Sequence, residues 1–345
     1  MSPVGAIDAD LVIAGGGPVG LVLALEAHAR GLRPIVIEPR TGAIDKACGE
    51  GLMPGAVAAL ARFGIDPPGR AIAGIQYEDA RRAVTHRYRR VAGRGVRRPV
   101  LSAAIRAAAD ARGIEVRPER VEQFVHHEHG VTVNGVRARW LVGADGLHSR
   151  VRARSGLDDA VSGMKRFGVR RHYAVAPWSD LVEVTFLPEV ELYVTPVDDA
   201  TVGVAVLGRK GVDLDAAIAE HARLRERLTG APIASELRGA GSLRQRARSR
   251  TSGRVALVGD ASGYVDAITG EGMRVGFAQA AVLADCLARD DLPGYERAWA
   301  RATRDVRLLT EGLVRLAGSP ARPAIVPAAR AMPWLFGAIV ERLAR

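Results

Sequence analysis

Gly15, Gly17 and Gly20 stand directly behind the apolar run Leu11-Val12-Ile13-Ala14 and open a helix-prone stretch, Leu21 to Ala29. Glycines at that spacing, between a strand and a helix, suit a dinucleotide pyrophosphate. The first permits a tight turn, the second lets the backbone approach phosphate oxygens without a Cβ in the way, and the third lets helix and strand pack closely. Glu38 ends the next apolar run, Pro34 to Ile37. A carboxylate there can accept from a ribose hydroxyl and disfavours a 2′-phosphate.

Two further segments join glycines and a carboxylate at the end of an apolar run. One is Gly143-Ala144-Asp145-Gly146-Leu147-His148-Ser149-Arg150-Val151-Arg152. The other is Val258-Gly259-Asp260-Ala261-Ser262-Gly263-Tyr264-Val265-Asp266, followed by Thr269-Gly270-Glu271-Gly272 at a helix start. Singly, each reads as a loop with an Asx turn. His126, His127 and His129 flank Glu128, a set that could ligate a metal. Their place before Gly130, at a hairpin tip, predicts a solvated turn and no metal site. Arg244, Arg246, Arg248 and Arg250 alternate, which on an extended segment puts four guanidinium groups on one side. Such a face is solvated or meets a nicotinamide cofactor's phosphates.

The elements that must position these residues follow from apolar periodicity. Leu52 to Phe63 and Leu101 to Arg112 read as helices, the latter ended by Gly113. Ile75 to Tyr77 with Val84 to Tyr88 read as a strand pair, Ile114 to Val116 as a core strand, and Val121 to Val142 as a meander. Period-2 alternation from Phe167 to Leu207 predicts a separate antiparallel sheet. Asp213 to Arg227 reads as a helix, Val255 to Val258 as a strand returning to the first lobe, and Gly272 to Leu287, Tyr295 to Leu316 and Trp334 to Leu343 as helices.

Composition bounds the rest. A chain of 345 residues with 48% apolar and 25% charged residues has material for two lobes and excludes a disordered or fibrous protein. The net charge of +11 comes from dispersed arginine, and aromatics are only 5%, which argues against a nucleic-acid partner. Cys48 and Cys286 cannot build a disulfide framework, in keeping with a cytoplasmic location. Cys286 falls on a helix's apolar stripe. The tail after Pro320 is broken by prolines into short apolar pieces. These cap the core, line a greasy tunnel, or make peripheral contact with a membrane.

As an ordered set, the three glycine–carboxylate segments are similar to those of the flavoprotein monooxygenases of the para-hydroxybenzoate hydroxylase type, and to the geranylgeranyl reductases and flavin halogenases of the same fold. The resemblance runs to about residue 290. It implies an α/β protein in which a Rossmann-like FAD-binding domain is interleaved with an antiparallel β-sheet substrate domain and followed by C-terminal helices. The implied boundaries are 1–73, 99–165 and 250–292 for the first, 74–98 and 166–249 for the second, and 293–345 for the helices. Gly15, Gly17, Gly20 and Glu38 match the FAD adenosine and pyrophosphate site, and Arg98 resembles the arginine near the phosphates and ribityl chain. Asp145 and Gly146 look like the motif serving both FAD and NAD(P)H. Gly259 and Asp260 look like the ribityl contacts, and Gly270, Glu271 and Gly272 like the backbone that meets the flavin ring.

What the resemblance implies about the reaction is divided. Gly263 and Ala267 stand where aromatic hydroxylases commonly have His and Pro. The Lys46-Ala47-Cys48-Gly49-Glu50-Gly51-Leu52 segment resembles the reductases, and its predicted place beside the flavin makes Cys48 a catalytic candidate, as is Asp266. The halogenases' Trp-x-Trp-x-Ile segment is absent, since Trp140, Trp178, Trp299 and Trp334 stand singly. His172, Tyr173, Trp178 and Tyr193 belong to the sheet that would roof the substrate cavity, and His172 and Tyr193 are the expected substrate contacts. The favoured reading is an FAD-dependent monooxygenase of secondary metabolism that uses NAD(P)H and O₂ to hydroxylate an aromatic or polyketide-like molecule. The alternatives are a reductase saturating a prenyl double bond and, more remotely, a non-catalytic binding protein.

Overall fold

The computed structural model describes residues 7–345. Five parallel strands form the centre of an eight-stranded sheet, in the spatial order Glu115–Arg117, Pro34–Ile37, Ala9–Ala14, Val136–Gly143 and Val255–Leu257. The near-continuous apolar sequences of Pro34–Ile37, Ala9–Ala14 and Val255–Leu257 reflect burial on both faces. Strand order reverses beside Ala9–Ala14, so a crevice opens at the carboxyl ends of these strands, where open α/β sheets bind ligands. The Phe124–His127 and Gly130–Val133 hairpin pairs antiparallel with Val136–Gly143.

The Pro18–His28 helix is apolar on every side because it is enclosed by this sheet and the Arg98–Asp110 and Gly272–Ala288 helices. Pro18 begins it, at a position where a missing N–H costs nothing. Arg98–Asp110 is amphipathic and buries Leu101, Ile105 and Ala109. The expected helix from Leu52 starts later, over Pro54–Ala61, because Gly51–Leu52 pairs with the Gly93–Gly95 strand.

A second, seven-stranded sheet runs in the order Arg238–Gly241, Phe167–Tyr173, Val202–Gly208, Glu191–Pro196, Leu181–Phe186, Gly74–Glu78 and Ala83–Arg87. It is antiparallel except where Leu181–Phe186 pairs in parallel with Gly74–Glu78. One face buries Leu192, Val194, Val204 and Val206 with Leu214, Ile218 and Leu224 of two short helices, Leu214–Glu220 and Ala222–Leu228. The sequence reading expected one helix there. It breaks at His221, whose Nδ1 accepts the Leu224 N–H at 3.0 Å while Nε2 lies 3.0 Å from Glu78 Oε1. On the opposite face the register aligns Tyr77, Val184, Tyr193 and Ala205 in one cross-strand row.

The last helices, Ile325–Ala331 and Pro333–Ala344, cover the edge strand Ala83–Arg87, with the Phe336 ring tilted against Tyr77 at 5.0 Å between centroids. Covering an open edge protects it from pairing with another chain. No single helix among the described residues is long and apolar enough to cross a membrane; the Arg322–Ala331 and Pro333–Ala344 pair bends by 104°. Trp334, at their corner, is 72% exposed.

Candidate active site

The glycine turn is built as its spacing requires. Gly15 has φ +111° and donates its N–H to Ile37 at 2.8 Å. A Cβ on Gly20 would fall 1.9 Å from the Gly15 carbonyl oxygen, so this glycine is demanded by helix–strand packing. Gly17 differs: its φ is −70°, and a Cβ there would meet nothing within 4 Å. It borders an open cavity.

Glu38 is buried and accepts the Gly16 N–H at 2.9 Å, together with the Arg40 N–H at 3.0 Å and the Arg40 guanidinium at 2.8 Å. Burial pushes its carboxyl up, but the hydrogen bonds from Arg40 and Gly16 outweigh it and hold the group below the usual carboxylate range. Arg40 occupies the lone pairs facing outward, so a ribose hydroxyl reaching Glu38 would replace an arginine N–H.

Around this turn opens a cavity of ≈ 550 Å³ that runs from Glu38 and Arg40 to the inner face of the seven-stranded sheet. Cys48, Arg98, Asp145, Gly146, Gly259, Asp260, Gly270 and Gly272 all line it. The guanidinium of Arg98, at the start of its helix, has no carboxylate partner among the described residues; its Nη1 is 3.7 Å from Met273 Sδ and 4.0 Å from Cys48 Sγ, and its Nε is buried without a partner among them. A cation left in that state fits a phosphate. Asp145 is engaged in capping, accepting from Ser149 Oγ at 2.5 Å and the Arg150 N–H at 2.7 Å, which turns the Gly146 backbone toward the cavity at φ +83°. Asp260 lies in the Gly259–Ser262 turn, which Gln279 fixes by accepting the Gly259 N–H at 2.6 Å. A glycine cradle that a Cβ at Gly17 would enter, an orphaned guanidinium nitrogen and a carboxylate at the strand end together fit FAD.

Several expected site residues lie elsewhere. His172 is 0% exposed and does not line the cavity. It springs from the face that carries Tyr193, but the loop holding Glu50 lies across it, in space left by Gly203: a Cβ there would be 3.5 Å from the His172 ring and 3.6 Å from Glu50 Oε2. His172 hydrogen-bonds Glu50 through Nε2 and is 2.8 Å from Ser235 Oγ through Nδ1. Asp266 is likewise buried outside the cavity, 3.2 Å from Arg166 and accepting the Ile268 N–H at 3.0 Å. Burial pushes its carboxyl up to about 6 against the pull of Arg166. Glu271 points away from the cavity to Arg274 at 2.8 Å, and burial pushes it up to about 7 despite that partner. Tyr173 and Trp178 pack on the sheet's other face. The alternating arginines are engaged locally, Arg244 with Glu311, Arg246 with Asp159 and Arg250 with Glu296, so they form no free phosphate-binding face. Among the described residues no group of three or more His, Cys, Asp or Glu side chains gathers as a metal site.

Tyr193 lines the cavity and donates its hydroxyl to the Ile268 carbonyl at 3.0 Å. Tyr77, Tyr264 and Lys46 line it too and were not singled out from sequence. Tyr77 alternates inward on its strand and Tyr264 lies inside the third glycine segment, so both carried a signal. A second cleft of ≈ 580 Å³ adjoins the cavity and shares Lys46, Asp145, Leu147, His148 and Ala240 with it.

Comparison with known proteins agrees with this architecture. The FAD binding domain family matches residues 8–290. Para-nitrophenol 4-monooxygenase of Pseudomonas sp. strain WBC-3 is 27% identical over 322 residues, covering 80% of this chain and 77% of that enzyme. The phenazine 1,6-dicarboxylic acid hydroxylase of Lysobacter antibioticus is 35% identical over 179 residues, 43% of either chain. Among solved structures, the flavin-dependent brominase Bmp2 superposes with a TM-score of 0.85 at 17% identity, covering 97% of this chain and 93% of that one. A flavoprotein/dehydrogenase from Cytophaga hutchinsonii gives 0.83 at 17% identity over 97% of this chain and 92% of that one. The chain therefore belongs to the FAD binding domain family, and it is an FAD-dependent oxidoreductase of the monooxygenase type.

Proposed function

We propose that the protein hydroxylates an aromatic or polyketide-like small molecule, consuming one NAD(P)H and one O₂, with one oxygen atom entering the product and the other leaving as water. The observation that carries this reading is the cavity's composition: one end is lined by the glycine and carboxylate groups that fit FAD, the other by an apolar sheet face bearing tyrosines. The matched relatives are named as hydroxylases or monooxygenases of aromatic compounds. When bound, FAD supplies the electron transfer and the reaction with oxygen.

In this reading the protein's own residues bind, orient and exclude water. The Gly15–Gly20 turn, Arg98 and Glu38 hold the pyrophosphate and adenosine ribose. Asp260 holds the ribityl hydroxyls, and the Gly270 and Gly272 backbone faces the ring system. The outer cleft shared with Asp145 is where NAD(P)H approaches. Cys48 borders the cavity beside Arg98 and is the feature that favours a second reading, hydride transfer to a prenyl double bond. Labelled oxygen separates the two: the hydroxylase puts it in the product, and the reductase makes a saturated product without it.

A further inference from the structure

The charged residues that line the cavity, Glu50 and Asp260 among them, come from outside the seven-stranded sheet. Glu38, Arg40, Arg98, Arg120 and Arg150 gather toward the glycine turn, and Lys46 stands where the cavity meets the outer cleft. Where the lining comes from the seven-stranded sheet and the Tyr264–Ile268 segment, it contains no Asp, Glu, Lys, Arg or His. Arg166, behind that wall, is itself buried and paired with Glu191 and Asp266.

Three tyrosines line this neutral end, with Tyr88 behind Met53, and they divide into two kinds. Tyr193 donates to the Ile268 carbonyl at 3.0 Å and Tyr88 to Met53 Sδ at 2.9 Å. Tyr77 and Tyr264 border the cavity, and neither hydroxyl has a hydrogen-bond partner among the described residues. Burial, and then nearby carboxylates, push both phenols well above their ordinary value: the buried Glu271 and Glu191 act on Tyr77, and the cavity-lining Asp260 and the buried Asp266 act on Tyr264. Both therefore stay protonated near neutral pH and can donate as well as accept. An uncompensated carboxylate against this uncharged lining would lose its hydration without gaining a counter-charge.

We propose that the sheet side of the cavity selects an uncharged, hydroxyl-bearing aromatic ring, held by the Tyr77 and Tyr264 hydroxyls, and rejects ring carboxylates. This rests on the reading that the cavity takes a monooxygenase's substrate.

The test is titration of the FAD-loaded protein near neutral pH with 1-naphthol, naphthalene and 1-hydroxy-2-naphthoate, followed by the flavin absorbance spectrum. Naphthol should bind at least about tenfold more tightly than either of the others. Tyr77→Phe and Tyr264→Phe should each weaken naphthol roughly two- to tenfold while leaving naphthalene unchanged. The unchanged flavin spectrum and naphthalene affinity show that the variants are folded. Hydroxynaphthoate binding as tightly as naphthol, or no preference for naphthol at all, would overturn the proposal. Product analysis under labelled oxygen keeps the two readings apart. Selective naphthol binding without oxygen insertion leaves the selectivity standing and removes the monooxygenase, whereas preferential hydroxylation of hydroxynaphthoate does the reverse.

Discussion

Glu50 Oε1 accepts the backbone N–H of Arg98 at 2.7 Å, tying the loop that carries Cys48 to the first turn of the helix that aims Arg98 into the cavity. The other carboxylate oxygen binds His172, and Arg170 stands 3.6 Å away, so one buried side chain joins three segments of chain. Glu50 itself sits at φ +59°, a conformation few side chains adopt without compensation. It is a positioning residue.

Glu50→Ala should lower stability by about 3 kcal/mol, because it leaves Arg170 and His172 facing a void with one fewer counter-charge. It should also weaken FAD, since Arg98 and the Cys48 loop lose their common anchor. Glu50→Gln, which still accepts from the Arg98 N–H, should restore part of the FAD affinity. Urea unfolding and flavin titration check both effects; unchanged values in the Ala variant would show that the network is ornamental.

Gly17 and Gly20 should respond in opposite ways. Gly17→Val places a side chain in open cavity space at an ordinary φ, so the protein should fold and be colourless. Gly20→Ala puts a Cβ 1.9 Å from the Gly15 carbonyl oxygen and should compromise folding itself. Circular dichroism and flavin content distinguish the two. A yellow Gly17→Val variant with full flavin would remove this turn from the cofactor site.

The glycine turn, the central strands themselves and the two-lobe plan were legible because each rests on local pattern: apolar runs, glycines at fixed offsets and period-2 alternation. The substrate face was less so. His172 and Tyr193 sit on the same sheet face, yet only Tyr193 reaches the cavity, because a loop from residues more than a hundred positions earlier covers His172. No periodicity encodes that. Asp266 adjoins Ala267, and Glu271 stands between Gly270 and Gly272, all of which line the cavity, but neighbouring residues in a loop can point to opposite sides, and their partners, Arg166 and Arg274, claim them. The bend at His221 depended on Glu78, a long-range contact that also left no local trace.

Asp260→Ala should leave the fold intact and weaken FAD roughly tenfold to a hundredfold, the loss of charge-assisted hydrogen bonds worth about 1.5–3 kcal/mol. Titration of FAD into the apoprotein measures it. Equal affinity would mean that the Asp260 carboxylate does not meet the cofactor.

Asp266 makes a prediction about pH. Its carboxyl is pushed up to about 6 in the folded chain from the ordinary 3.8, so between those values the folded state holds more protons than the unfolded one. This group's contribution to stability therefore falls as pH rises through that window. Asp266→Asn cannot titrate, so its stability relative to the parent should climb between pH about 4 and about 6, by of order 2–3 kcal/mol. Paired unfolding curves across that range check the slope. Parallel curves would mean that the carboxyl is not desolvated.

The most direct test of the monooxygenase reading is mass spectrometry of the product formed under ¹⁸O₂ by FAD-loaded protein with NAD(P)H and a phenol that perturbs its flavin spectrum. The account predicts one labelled oxygen in the product for each NAD(P)H consumed, and no product without oxygen. A saturated, unlabelled product formed anaerobically by the dithionite-reduced protein would contradict it.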